Sequence, residues 1–125
     1  MIMPENQKKI LIVDDAENNV MLLNDVLSEL DYDIHVAKNG RDALNIVRNN
    51  APRLVLLDIM MPDMDGFELF EQLKRQYPET HVIFITAKSA DNDRELAMAM
   101  GAADYITKPV NIIDVLQKVQ KIMEN

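Results

Sequence analysis

Four short apolar runs punctuate the chain, at Lys9–Val13, Arg53–Leu57, His81–Ile85 and Ala103–Ile106, and a weaker, alternating run lies at Ile34–Ala37. Unbroken Val, Ile and Leu over four or five positions suit a strand buried on both faces, whereas alternation suits a strand with one wet face. The pattern predicts five strands, the second of them at a sheet edge. Between them, apolar residues return at helical spacing: Val20, Leu23, Leu27 and Leu30; Ala43, Leu44 and Val47; Phe67, Phe70 and Leu73; and Ile112, Val115, Leu116, Val119 and Ile122. Asp91–Met100 is helical by composition but has only Leu96, Ala97 and Met100 as a stripe, so this fourth helix is expected to pack least tightly.

Strand and helix thus alternate five times, which predicts an α/β fold, a parallel sheet covered by helices on both faces as a three-layer sandwich. Right-handed crossovers leave few topologies, and five βα units suit the flavodoxin-like (βα)5 arrangement with strand order 2-1-3-4-5, which puts the alternating strand on an edge. Pro52, Pro78 and Gly101 fall between elements as breakers. Met1–Gln7 reads as a short N-terminal tail and residues 8–125 as one domain, the size expected of a single core.

Composition narrows the chemistry. At 48% hydrophobic and 27% charged, the chain matches a globular domain and excludes disordered or collagen-like classes. Its longest aliphatic runs, such as Ile10–Val13, fall far short of the roughly 18 residues a membrane span needs. Met1–Gln7 lacks the features of a secretory signal and there is no cysteine, so a cytoplasmic location is expected. Thirteen basic against twenty-one acidic residues leave a net charge of -8, which argues against direct nucleic-acid binding. Without cysteine, and with only His35 and His81, both expected at strand starts or edges, any metal should be a hard, oxygen-loving one. Gly40, Gly66 and Gly101 form neither nucleotide-binding glycine motif.

Polar residues follow the strands: Asp14 and Asp15 after the first, Asp58 after the third, Thr86 after the fourth and Lys108 after the fifth. Taken singly, an aspartate there caps a helix, Thr86 is a loop hydroxyl and Lys108 a solvated charge. In a parallel sheet, however, those ends share one edge, and ligands bind there at the switch point between strands one and three. Three carboxylates gathered at one partly buried spot repel one another unless a cation or shifted pKa values relieve them. Mg²⁺ suits such a site, because it takes one or two carboxylates and accepts phosphate oxygens. An aspartate can attack phosphorus, so Asp58 is the candidate nucleophile, Lys108 and the metal supply positive charge, and Thr86 supplies a hydroxyl.

Asp14-Asp15, the stretch Asp58-Ile59-Met60-Met61-Pro62-Asp63-Met64-Asp65-Gly66, Thr86-Ala87 and Lys108-Pro109 together resemble the motifs of response-regulator receiver domains of two-component signalling, the CheY-like superfamily. The resemblance runs from about Lys8 to Met123. It implies that Asp58 accepts a phosphoryl group from a histidine kinase or phosphotransfer protein, and that Asp14, Asp15, Asp58 and the Met60 backbone carbonyl hold Mg²⁺. Lys108 would contact the phosphoryl group, Thr86 would turn toward it, and Tyr105 would swing inward. That movement would alter the surface of the fourth helix, fifth strand and fifth helix for an output domain or partner protein. The resemblance also implies a regulatory domain that catalyses only its own phosphorylation and dephosphorylation, allows a phosphorylation-dependent homodimer, and implies a cis Lys108-Pro109 peptide. Without it, Tyr105 reads as a half-buried aromatic at a sheet edge.

Rival chemistries fit less well. A haloacid-dehalogenase-type hydrolase needs an acid two residues after the nucleophile, where Met60 stands. A flavin binder needs a hydroxyl- and glycine-rich first loop, and here that loop is Asp-Asp-Ala-Glu. Asp63-Met64-Asp65-Gly66 lacks the first acid of a calcium loop, whose position falls on Met61. Two alternatives remain: a degenerate receiver serving only as a docking module, and a receiver excised from a larger regulator whose output domain is missing.

Overall fold

All five apolar runs become strands in the computed structural model, which describes residues 8–124: β1 Lys9–Val13, β2 Asp33–Ala37, β3 Leu54–Leu57, β4 His81–Thr86 and β5 Asp104–Thr107. They alternate with α1 Glu17–Ser28, α2 Gly40–Asn50, α3 Gly66–Gln76, α4 Asp91–Ala99 and α5 Ile112–Met123. Every pairing is parallel, and the order β2-β1-β3-β4-β5 is the flavodoxin-like one. The tail assigned to Met1–Gln7 lies outside the described residues. No described helix is long and apolar enough to cross a membrane.

Strand alternation divides the core between the two faces of the sheet. Leu11, Val13, Val55, Leu57, Val82 and Phe84 face α2, α3 and α4, meeting Ala43, Val47, Leu69, Phe70, Leu73 and Ala97. Ile10, Ile12, Leu54, Leu56, Ile83 and Ile85 face α1 and α5, meeting Val20, Leu23, Leu27, Val115 and Val119. Both sides of β1, β3 and β4 are therefore dry, which is why those strands read as continuous apolar runs. The edge strand β2 is only half-buried over Ile34–Val36, in line with its alternation.

Several details depart from the periodicity. α1 ends at Ser28, because the Leu30 amide closes a turn onto Leu27 and Asp31 takes a positive φ of 66°; Leu30 is thus a half-buried turn residue and not part of the stripe. In α3 the buried face includes Leu69, while Phe67 is only partly covered. At the end of α5 Met123 is buried and Ile122 lies beside the core. α4 does pack least tightly: only Ala97 is buried, Leu96 and Met98 are exposed, and Ala90 gives its first turn no side-chain cap.

Candidate functional site

The ladder of the sheet runs one residue past the strands and so fixes the backbone of the site. The Asp14 amide donates to Ala37, the Asp58 amide to Val13 and the Lys108 amide to Thr86, at 3.0, 3.0 and 2.8 Å. The side chains that follow therefore emerge together at the carboxyl edge, on either side of the β1/β3 switch point. The Lys108-Pro109 peptide is cis.

Asp14 and Asp58 are nearly buried, Asp15 is exposed, and one carboxylate oxygen from each lies within 4.8 Å of the others. Lys108 sits between the two buried acids, its Nζ 2.9 Å from Asp14 Oδ2 and 2.8 Å from Asp58 Oδ2. The expected repulsion is thus already relieved in part by a cation from the chain itself, and Lys108 is no solvated charge. Burial alone would lower its ammonium, but hydrogen bonds to, and the charges of, Asp14 and Asp58 outweigh that and hold it above the ordinary lysine value. The remaining acceptors are also used: Asp14 takes the Ala16 amide at 2.9 Å and the Asn19 side-chain amide at 2.7 Å, and Asp58 Oδ1 takes the Met60 amide at 3.1 Å. Asp58 and Lys108 line an open cleft of about 850 Å³ together with Asp15, Met60, Asp63 and Lys88.

Thr86, fully buried at the end of β4, accepts from the Lys88 amide at 3.3 Å. The Lys88 carbonyl accepts in turn from the Tyr105 hydroxyl at 2.6 Å. Tyr105 is 2% exposed and already lies in the inward position that the resemblance has it swing into, not at the half-buried edge position read without that resemblance; its ring is tilted against Phe84 with centroids 6.0 Å apart. Burial, with Asp93 adding to it, raises its hydroxyl above the ordinary tyrosine value, while Arg94 opposes this and Asp58 contributes in the same sense as burial.

Three participants, Asn19, Asp104 and Asp63, escaped the sequence, as did the partner that Arg94 meets. Asn19 orients Asp14, and its only signal was its place one turn into α1. Arg94 on α4 lies over the Tyr105 ring, 5.4 Å from its centroid, and donates to the Tyr105 carbonyl at 3.1 Å. On the open side of the edge strand β5, Asp104 accepts from the Tyr105 amide at 2.8 Å, so both backbone groups of Tyr105 are satisfied by charged side chains. The third is Asp63, whose carboxylate accepts from the Gly40 and Arg41 amides. Met60, in contrast, is 57% exposed.

A flavodoxin-like domain with three carboxylates and a lysine at its switch point, and a threonine linked to an aromatic on the edge strand, fits a phosphoacceptor signalling domain. The sequence matches the response regulator receiver domain over residues 10–120, and the chain belongs to that family. It is 39% identical over 116 residues to the alkaline phosphatase synthesis transcriptional regulatory protein PhoP of Bacillus subtilis (strain 168), a match covering 93% of this chain and 48% of PhoP. The chain therefore spans about half the length of that relative. Among solved structures, the BeF3-activated N-terminal receiver domain of Klebsiella pneumoniae RstA is similar at a TM-score of 0.87 and 31% identity, covering 94% of this chain and 99% of that one. The Thermotoga maritima OmpR/PhoB homolog DrrB is similar at a TM-score of 0.84 and 35% identity, covering 93% of this chain and 52% of that one. The protein is thus the receiver domain of a two-component response regulator, a signalling domain.

Proposed function

We propose that residues 8–125 accept a phosphoryl group on Asp58 from the phosphohistidine of a histidine kinase or phosphotransfer protein. The observation that carries this reading is the Asp58 carboxylate itself, nearly buried yet lining an open cleft, held between Lys108 and the Met60 amide. The donor set around it is all oxygen, which fits a small hard cation: Asp14, Asp15, Asp58 and the Met60 carbonyl would hold Mg²⁺. When bound, Mg²⁺ supplies positive charge to the phosphoryl oxygens.

In the transfer, an Asp58 carboxylate oxygen forms the new bond to phosphorus as the bond to the donor imidazole nitrogen breaks, and the imidazole keeps that electron pair. Lys108, positioned by two carboxylates, balances charge on the phosphoryl oxygens. Thr86 donates its hydroxyl to the phosphoryl group, which frees the Lys88 amide and draws on the chain of contacts through Lys88 and Tyr105 to α4. A hydrogen bond to a charged group contributes about 1.5–3 kcal/mol, while reversing a switch from 1:99 to 99:1 takes about 5.5 kcal/mol. Thr86 therefore biases the switch, and Lys108 and the bound partner complete it.

The output face is α4, β5 and α5, around Lys88, Arg94, Met98, Tyr105 and Lys118. An output domain or partner protein reads it, and a phosphorylation-dependent homodimer would use the same face. The domain catalyses no reaction beyond its own phosphorylation and dephosphorylation, and works in the cytoplasm without contacting nucleic acid itself. Acetyl phosphate with Mg²⁺ should add one phosphoryl group by intact-mass spectrometry, with none added in Asp58→Asn or in EDTA. Equal labelling of Asp58→Asn would refute the assignment, and no labelling of the wild type would leave a docking module.

A further inference from the structure

The connection from β3 to α3, residues 58–65, carries both the acceptor aspartate and the Met60 carbonyl. Its base is closed where the Gly66 amide donates to Ile59 at 2.8 Å, an approach only glycine permits, since a Cβ would stand 2.5 Å from the Ile59 Cα. Its tip is tied to a helix that takes no part in the chemistry. Asp63 Oδ1 accepts from the Gly40 amide at 2.9 Å and Oδ2 from the Arg41 amide at 3.2 Å, two of the first-turn donors of α2 that have no intrahelical acceptor. The helix supplies its own cap elsewhere: Asn39 accepts from the Asp42 amide at 2.8 Å. Met64 reinforces the tie by packing on Gly40, where an added Cβ would come within 3.0 Å of both its Cβ and Sδ. The Gly40 amide foremost, together with the Arg41 amide, holds the Asp63 carboxyl below its ordinary range despite the opposing effect of burial. Met60 stands between these two anchors with its side chain largely in solvent, so side-chain packing does little to fix its carbonyl.

We propose that Asp63 is a positioning residue for the cation site: by clamping the tip of this loop to the first amides of α2, it holds the Met60 carbonyl in place and couples the start of α2 to Mg²⁺ affinity. The inference rests on the reading of this site as a Mg²⁺-dependent phosphoacceptor. Coupling of this kind is reciprocal, so Mg²⁺ bound at Asp14, Asp15 and Asp58 must also tighten the Gly40 and Arg41 amides.

Calorimetric Mg²⁺ titration and amide hydrogen exchange of the 125-residue chain test this. Asp63→Ala should weaken Mg²⁺ binding on the order of 10-fold, as loss of an outer partner does at metal sites. Asp63→Asn, which keeps one acceptor, should fall between that and wild type and serves if the alanine variant does not fold. Asn39→Ala removes a cap from the same helix without touching the loop and should leave Mg²⁺ affinity near wild type. Asp65→Asn removes a charge from the same cleft while an asparagine can still cap α3, and so measures the through-space effect. Mg²⁺ should slow exchange at Gly40 and Arg41 in wild type, Asn39→Ala and Asp65→Asn, but not in Asp63→Ala. Unchanged affinity in both Asp63 variants overturns the proposal, as does a loss matched by Asp65→Asn, which is charge alone, or by Asn39→Ala, which is helix stability alone. Failure of the underlying functional reading shows separately, as a wild-type chain that neither binds Mg²⁺ nor is labelled on Asp58.

Discussion

Lys108→Ala removes the side-chain cation that sits between two carboxylates whose side chains are 3% and 7% exposed. Deleting one partner of a buried ion pair costs about 3–5 kcal/mol, because the charge left behind is uncompensated. Here Asp14 keeps the Ala16 and Asn19 donors, Asp58 keeps the Met60 amide, and Lys108 itself reaches solvent. The lower end, about 3 kcal/mol, is therefore expected in EDTA. For a chain of this size that corresponds to a fall of roughly 10 °C in Tm. Mg²⁺ at 100 times the wild-type Kd adds about 2.7 kcal/mol to the wild type, and at that same concentration it adds more to a protein that binds it more tightly. Since no lysine then competes for the carboxylates, the variant should bind the ion more tightly and gain more from it than wild type. The pH dependence has a definite sign. The folded-state value of Lys108 is raised, so its contribution is complete below the ordinary value of 10.5 and is lost as pH rises through the still higher folded value. The stability gap between wild type and variant should be flat through neutral pH and, on the alkaline side, close above 10.5. Calorimetric melts in EDTA and in Mg²⁺ decide the matter: an unchanged Tm in EDTA, or an equal gain from Mg²⁺ in both proteins, refutes the reasoning.

Gly66→Ala should be destabilised by at least the 1–3 kcal/mol typical of overpacking, because the new Cβ meets backbone at Ile59 and Asp58 that cannot turn aside; urea unfolding measures this, and phosphorylation should fall with it. Tyr105→Phe leaves the Lys88 carbonyl without its 2.6 Å donor and should cost about 1 kcal/mol in the same assay. In a spectrophotometric titration that variant should also lose one tyrosine ionising above 10.0. Because the folded state holds the Tyr105 proton more tightly, the associated stability is present below pH 10.0 and is lost as pH rises through the higher folded value, so Tyr105 adds no pH dependence around neutral pH.

The alternation of apolar strands with amphipathic helices was legible from the chain alone, because a parallel strand dry on both faces must be continuously apolar and a covering helix must carry one stripe. The convergence of Asp14, Asp15, Asp58 and Lys108 followed from the same logic, since the carboxyl ends of parallel strands share an edge. Even the looseness of α4 showed in its poor stripe. Element ends were less legible: the positive φ of Asp31 stops α1 before Leu30, and a 3.6-residue period carries no mark of it. The partners of the polar groups were decided by the tertiary structure. Lys108 lies between Asp14 and Asp58, 50 residues from the latter, and Asp63 caps a helix whose first amide is 23 residues away. Arg94 covers a tyrosine on a different element, and that tyrosine is buried. Periodicity reports how often a side chain must leave water, and so which face it occupies. Which charge or amide it meets there depends on the distances between segments that only packing brings together.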